Sequence, residues 1–385
     1  MDNATHTLFA ITLGRTPLGR AGRGTTAALI VASNAPDLDV LSVFRGGTAG
    51  YLHWHRGPTH GPLGVVALGA LSAGLVWLGR ECLDARRRGA GRDGPHGPNA
   101  PFGLLFVISM LAILLHIGMD LPTSYGLRLL SPFDWHWYAF DWLPIIDIYL
   151  LIALAAGLMF GRGSEAARRR NAAIVLAIMA ANYGVRGVSH HRALQIAPRL
   201  FGPTLPARCP DAPDTSAMLD AWPRSRPDGA TIADPAGAPP AGAHRCLVEI
   251  AALPTFLSPF DWRIVAHLSN GYEIHEVEIM DNRFREQPSM NEVFWRQSIR
   301  YPNVWTPPAD RAAAAPLAQI FLGFSRFPAA RSITDDHGTS TVRFSDMRFA
   351  AGLVALEQPV RRPSPFSVLI RLDRTGRVIE QSLAR

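Results

Sequence analysis

The chain has 385 residues, 48% of them hydrophobic, and a formal net charge of +7 carried by arginine. That length accommodates two domains with sizeable cores, and the three cysteines, Cys82, Cys209 and Cys246, lack the CxxC spacing of a thiolate zinc site. A mean hydropathy of +0.09 hides a split: residues 25–186 hold nearly all the long apolar runs and residues 205–385 read as soluble sequence, so a single water-soluble domain is excluded.

Asp2 and His6 are four residues apart and share one face if residues 4–14 are helical. They also interrupt the place where a basic signal-peptide region would stand, so insertion would rely on internal apolar runs. A basic, glycine-rich turn with Arg15, Arg20 and Arg23 follows, then a second apolar run from Thr25 to Ala35 that leads to Asn34-Ala35-Pro36-Asp37-Leu38-Asp39. Neither run reaches the roughly 20 residues of a full span. Together they predict a half-depth hairpin that returns Asp37 towards the level of His6, a geometry tolerated where polar groups are buried or line a wet cavity.

Residues 40–61 read as a loop rich in glycine and histidine. Pro62 to Gly79 is the first good span, with small residues (Gly64, Gly69, Ala70, Ala73, Gly74) suited to close packing. An arginine-rich stretch with Arg80, Arg86, Arg87, Arg88 and Arg92 precedes a second span, Phe102 to Met119. Residues 121–142 form a polar, aromatic connection in which Trp135, Trp137, Tyr138 and Trp142 are expected as interfacial anchors. Leu143 to Phe160 is expected to span again, and Ala172 to Val185 is a shorter final run. Arg15–Arg23, Arg80–Arg92 and Arg162–Arg170 alternate with the histidine- and aspartate-bearing segments, which puts the arginines on the cytoplasmic side by the positive-inside rule. His6, Asp37, His55, His60, His116 and Asp120 then converge on the opposite side.

Residues 189–200 could form an amphipathic helix on the membrane surface, and residues 202–243 read as a Pro/Gly-rich linker. From Cys246 the alternation of strands returns at Cys246–Ala251, Trp262–Leu268 and Tyr272–Met280, with a hairpin turn at Ser269-Asn270-Gly271. Later strands are expected at Arg331–Thr334, Thr339–Phe344, Phe366–Leu372 and Val378–Gln381, with a short helix over Leu317 to Phe324. The expected organisation is mainly α: a multi-span helical membrane domain with a metal site (1–187), a surface helix and linker (188–245), and a small α+β domain with an antiparallel sheet (246–385). With the last run crossing, that domain is extracytoplasmic, and Cys209 could pair with Cys246 while Cys82 stays a free thiol.

The candidate chemistry lies at the span ends. His116 and Asp120 at i, i+4 present two ligands on one helix face, although a His–Asp hydrogen bond would explain the pair alone. The stretch His53-Trp54-His55-Arg56-Gly57-Pro58-Thr59-His60 puts three imidazoles at a membrane boundary, where ionisable groups are costly unless they work. His55 and His60 are ligand candidates there, and Arg56 suits a phosphate or carboxylate oxygen. Asp37 and Asp39 would share one side of an extended loop, Asp37 as ligand and Asp39 as a supporting carboxylate or base. Asp141 and Asp147 face the same side; each could orient a ligand histidine or complement a helix N-terminus.

The ordered set Met1-Asp2-x-x-Thr5-His6, Asn34-x-Pro36-Asp37-x-Asp39, His55-Arg56-Gly57-x-Thr59-His60 and His116-x-x-x-Asp120 with Thr123-Ser124-Tyr125-Gly126 resembles the YdjM-like family. That resemblance covers roughly residues 1–180. It implies a bacterial inner-membrane protein of a family described as metal-dependent hydrolases, whose name also carries a LexA-binding label. The order is also similar to that of the zinc-dependent phospholipase C and single-strand nuclease superfamily, which implies His6, Asp37, His60, His116 and Asp120 as ligands. This chain lacks that superfamily's later HxxxH or HxxxE pair, so one or two divalent ions, zinc by the resemblance, are expected. The reading is a membrane-bound hydrolase of a lipid or lipid-linked phosphoester, with Arg56 neutralising developing charge and Asp39 or Asp141 as base or support. The rival is a non-enzymatic membrane scaffold or partner-binding protein with a structural metal. Membrane lipid is the expected partner; no nucleic acid is expected, and no residue identifies a protein partner.

Overall fold

The computed structural model describes residues 1–90, 97–160, 163–201, 206–210, 212, 218–223, 246–281, 298–349 and 366–384. The chain forms two units, Met1–Leu41 with Trp54–Gly187, and Ser42–His53 with Val188–Arg385.

The first unit is helical. Helices α1 (Asn3–Gly14) and α2 (Thr25–Asn34) pack as a short hairpin joined by a 3-10 turn at Pro17–Arg20. Two long helices follow, α4 (Pro62–Gly89) and α5 (Phe102–Asp120). They pack closely because small residues line the seam: a Cβ on Gly69 would sit 2.8 Å from Met110 Cγ. A short strand, β1 (Trp137–Ala139), precedes helices α6 (Ile148–Met159) and α7 (Glu165–Ile196). Phe9, Leu13, Leu29, Leu105, Ile113, Leu143 and Leu154 belong to one buried cluster at the centre.

Three helices among the described residues are long and apolar enough to cross a membrane: α4, α5 and the run from Glu165 to Leu200. A fourth crossing is available if the bent pair Thr25–Asn34 and Pro36–Trp54 counts as one broken span. The run expected to span from Leu143 is shorter. Asp147 caps α6 by accepting from Tyr149 N at 3.0 Å and Leu150 N at 3.1 Å, so the helix starts late. Its 12 residues rise about 18 Å, well short of a bilayer core of about 30 Å. The final run is longer than expected, because α7 continues through Gly184, Arg186 and His190 without a break. Arg186 is tolerated there by a buried ion pair to Asp147 Oδ2 at 3.0 Å.

The segment expected as a loop over 40–61 is mostly helical: a 3-10 helix at Pro36–Ser42, then α3 (Val43–Trp54), bent at Gly46 and Gly47. Trp137 is fully buried, with Arg128 stacked 4.7 Å from its ring, so it serves the interior rather than the membrane surface. The arginine segments collect at one end of the helices. Arg15 donates to the carbonyls of Gly157 and Leu158, both at 3.0 Å, and Arg20 pairs with Glu165. Arg23 donates to Asp84 at 2.9 Å and to Asn99 at 2.8 Å.

The second unit carries short strand β2 (Asp220–Trp222) and two four-stranded antiparallel sheets. The first has the order β3 (Leu247–Pro254), β4 (Asp261–Leu268), β5 (Gly271–Glu278), β6 (Ser298–Pro302). Leu268 pairs with Gly271 across the turn at Ser269-Asn270, as the sequence predicts. Helices α8 (Pro307–Ala313) and α9 (Pro316–Phe324) precede the second sheet. Its order is β10 (Val378–Ala384), β9 (Ser367–Leu372), β8 (Ser340–Asp346), β7 (Pro328–Thr334). Val265, Tyr272 and Ile274 of the first sheet share a buried cluster with Phe327 and Ala329. Residues 189–200 do not form a separate surface helix: Ala193, Ile196, Ala197 and Leu200 pack with Ala252, Trp262 and Ile264. Cys209 and Cys246 form a disulfide with Cα atoms 5.1 Å apart, and Cys82 is free and exposed. Most of the linker expected over 202–243 lies outside the described residues.

Candidate metal centre

Four segments bring donors to one place. Asp2 caps α1 by accepting from Thr5 N at 3.0 Å, which places His6 one turn in. The end of α2 ties the neighbours together: Ser33 Oγ donates to His6 O at 3.3 Å, and Asn34 Oδ1 accepts from Thr7 Oγ1 at 3.0 Å. Asp37 follows on the 3-10 helix. His60 ends a tight turn in which its N–H donates to Gly57 O at 2.8 Å. This turn lies on the first residues of α4, where a Cβ on Gly64 would meet Pro58 O at 2.3 Å. His116 and Asp120 close α5.

Asp37, His60, His116 and Asp120 each offer a ligand atom, all within 4.8 Å of one another, and this buried group could hold a metal ion. Asp37 Oδ1 stands 3.8 Å from His60 Nε2 and 3.7 Å from His116 Nε2, and Asp120 Oδ2 is 3.7 Å and 3.6 Å from the same nitrogens. The two Nε2 atoms face each other at 3.2 Å. His116 Nδ1 lies 2.8 Å from the carbonyl of Ser33, which can only accept, so a neutral His116 carries its proton on Nδ1 and its lone pair on Nε2. His60 Nδ1 has Thr59 Oγ1 at 3.0 Å and Asp39 Oδ2 at 3.7 Å. Burial holds His60 well below the ordinary histidine range, which favours the neutral, coordinating form. With His60 protonated on Nδ1 the two lone pairs meet across 3.2 Å beside two carboxylates, an arrangement that could hold a cation; with His60 protonated on Nε2 the same contact is a hydrogen bond to His116. The Ser33 carbonyl fixes the His116 tautomer as outer-shell groups do in metal sites.

His6 belongs to the same neighbourhood. Its ring stacks on His116 with centroids 3.8 Å apart, and its Nε2 reaches 3.3 Å from Asp120 Oδ1, an oxygen that also contacts the Met1 ammonium. Among the described residues neither His6 nitrogen has a hydrogen-bond partner, although the residue is fully buried. Unsatisfied buried imidazole is costly, and a coordinated cation removes that cost. The donor set therefore fits a divalent ion with N and O ligands.

The remaining predicted residues surround this group. Arg56, buried and held at φ 51°, places Nη2 3.1 Å from Asp120 Oδ2 and donates from Nη1 to Gly126 O at 3.0 Å. It also lies 5.0 Å over the Tyr125 ring. Asp39 accepts from Arg56 N at 2.6 Å and pairs with His55 Nδ1 at 3.1 Å. His55 thus stands beside Asp39, outside the four-donor group. Burial also lowers the His55 pKa, opposed by its bond to Asp39. Asp37 and Asp39 point apart because they lie on a 3-10 helix, where residues two apart are about 120° from facing the same way. Asp141 is buried with φ 60°, on a segment whose Phe140 and Trp142 N–H groups donate to Leu121 O and Pro122 O; it is not in the four-donor group. Asp147 is the cap of α6. The sequence does not flag Ser33, because it acts through a backbone carbonyl, and it gives Tyr125 a place in a motif without the role of a ring under Arg56.

The model of the family described as YdjM inner membrane protein matches residues 1–193, half of the chain. The protein YfhP of Bacillus subtilis (strain 168), described as uncharacterized, is 25% identical over 166 residues, 41% of this chain and 45% of its own length. The chain thus spans about half the length of that curated relative. No solved structure matches the chain.

Proposed function

This chain belongs to the YdjM inner membrane protein family, and from that premise we propose that its membrane unit is a metal-dependent hydrolase acting on a lipid or lipid-linked phosphoester. The observation that carries the reading is the facing pair of His60 and His116 nitrogens between two carboxylates. Asp37, His60, His116 and Asp120 would hold the ion, with His6 beside Asp120. Zinc suits the nitrogen and oxygen donors. A divalent ion there supplies Lewis acidity and the acidification of water that hydrolysis at neutral pH requires.

The protein groups divide the other tasks. Arg56 offsets the charge of Asp120, and in this reading it would neutralise charge developing on a phosphoryl oxygen. Asp39 holds the Arg56 backbone and the His55 ring, and so positions the 55–60 turn. Access runs past Asp37, the one donor of the four that is not fully buried. Leu38, Val40 and Leu41 beside it are exposed, which favours a substrate with an acyl or polyprenyl tail over a water-soluble one. The arginine segments at the far end of the helices support a site near the extracytoplasmic face. The Cys209–Cys246 disulfide supports an oxidising compartment for the second unit.

The test is phosphate release from lipid phosphoesters by the purified full chain in nanodiscs, with zinc and after chelation. Release that requires metal and is lost in His60→Ala is expected. A protein that binds metal but hydrolyses none of these esters would support the structural-metal reading instead.

A further inference from the structure

We propose that the tip of the β3–β4 hairpin inserts into the interfacial layer of the bilayer that α7 crosses. The second unit is soluble in character, yet four large apolar side chains gather at this tip: Phe256 is 56% exposed, Leu257 73%, Phe260 38% and Met280 56%. Met280 joins the loop because Ile279 N donates to Phe260 O at 2.9 Å. Scattered exposed apolar residues are ordinary, but a contiguous group marks a contact surface.

The unbroken helix α7, whose end belongs to the second unit, identifies the occupant. Arg170 and His190 are 20 residues apart on this helix, about 30 Å at 1.5 Å per residue, which is the thickness of a bilayer core. His190-His191-Arg192 thus marks the level of the headgroups. The His190 ring lies 5.4 Å from Trp262, whose indole N–H donates to Pro259 O at 3.1 Å in the hairpin loop. The Trp262 indole thus bridges the helix exit at His190 and the hairpin loop at Pro259, so the tip begins one side chain away from that exit. Phenylalanine, leucine and methionine on a tight loop at that level match the chemistry of the acyl–headgroup boundary. Beside Phe256 and Leu257, Asp261, Glu276, Glu278 and Asp281 line a cavity of about 640 Å³. These carboxylates oppose anionic headgroups, so the contact is with the uncharged interior of the interface and needs no acidic lipid.

The experiment uses the full chain with Cys82→Ser, carrying an environment-sensitive fluorophore at Leu257→Cys or, as reference, at Arg374→Cys on an exposed turn of the other sheet. Both are placed in phosphatidylcholine nanodiscs with doxyl-labelled lipid. The expected result is a blue-shifted Leu257→Cys probe quenched several-fold more by doxyl lipid than the reference, with the difference lost when Phe256 and Phe260 are changed to Ser. Equal quenching of both probes by aqueous iodide, with none by doxyl lipid, overturns the proposal. So does energy transfer between probes on two copies without lipid quenching, which would assign the tip to self-association.

Discussion

Replacing Arg56 by Met tests the electrostatic logic of the centre. The guanidinium is buried, faces Asp120 Oδ2 at 3.1 Å, and is shared with Thr123 Oγ1 at 3.3 Å and Gly126 O at 3.0 Å. Met fills much of the same volume, and φ 51° strains Met and Arg alike, so backbone cost cancels in the comparison. What remains is a fully buried carboxylate beside three buried imidazoles and the Met1 amino group, which burial holds well below its ordinary pKa. Removing one partner of a buried ion pair costs about 3–5 kcal/mol, and at least the lower figure, about 3 kcal/mol, is expected here. The assay is denaturant unfolding of the full chain in micelles, once with chelator and once with saturating zinc. A loss of about 3 kcal/mol is expected with chelator, and it should shrink with zinc, because a divalent charge beside Asp120 takes over part of the arginine's role. A loss below about 1 kcal/mol in chelator, or a gap that widens on adding zinc, would mean that Arg56 does not neutralise Asp120.

Other substitutions separate the roles. Asp39→Asn weakens the hold on Arg56 N and His55 without removing a ligand, so zinc affinity measured by competition should fall about 10–100-fold with the fold retained. Arg186→Leu should cost about 3–5 kcal/mol by leaving Asp147 buried. Adding Asp147→Ser, which preserves a cap for α6, should recover most of that loss in a double-mutant cycle. In intact cells a membrane-impermeant maleimide should reach Cys209 and Cys246 only after reduction by an impermeant reductant. Cys82 should react only after permeabilisation; labelling of Cys82 from outside would reverse the orientation argued above.

Much of the centre can be read from the sequence because its donors sit at the ends of apolar runs. Helical spacing alone pairs His116 with Asp120, and the cost of histidine at a membrane boundary draws attention to His60. The hairpin of α1 and α2 likewise follows from two runs too short to cross. Where reading fails, local rules compete. Extended geometry would align Asp37 with Asp39, but Pro36 starts a 3-10 helix that turns them apart and leaves Asp39 to His55. Glycine content suggests a loop over 40–61, whereas Gly46 and Gly47 only bend α3. The apolar run from Leu143 is interrupted by Asp147, whose side chain serves as cap and as partner of Arg186. That long-range pair also explains why α7 runs on through a charge that looks like an end. The second unit is the most legible, since alternation and the Ser269-Asn270 turn mark strands without reference to distant residues.

Metal analysis of the purified full chain, compared with His116→Ala, asks whether the Asp37, His60, His116 and Asp120 group holds an ion. One or two divalent ions per chain are expected, with loss of at least one in the variant and helical content unchanged. Metal-free protein after purification in zinc-containing buffer, or a metal content that His116→Ala leaves untouched, would mean that this group holds no ion.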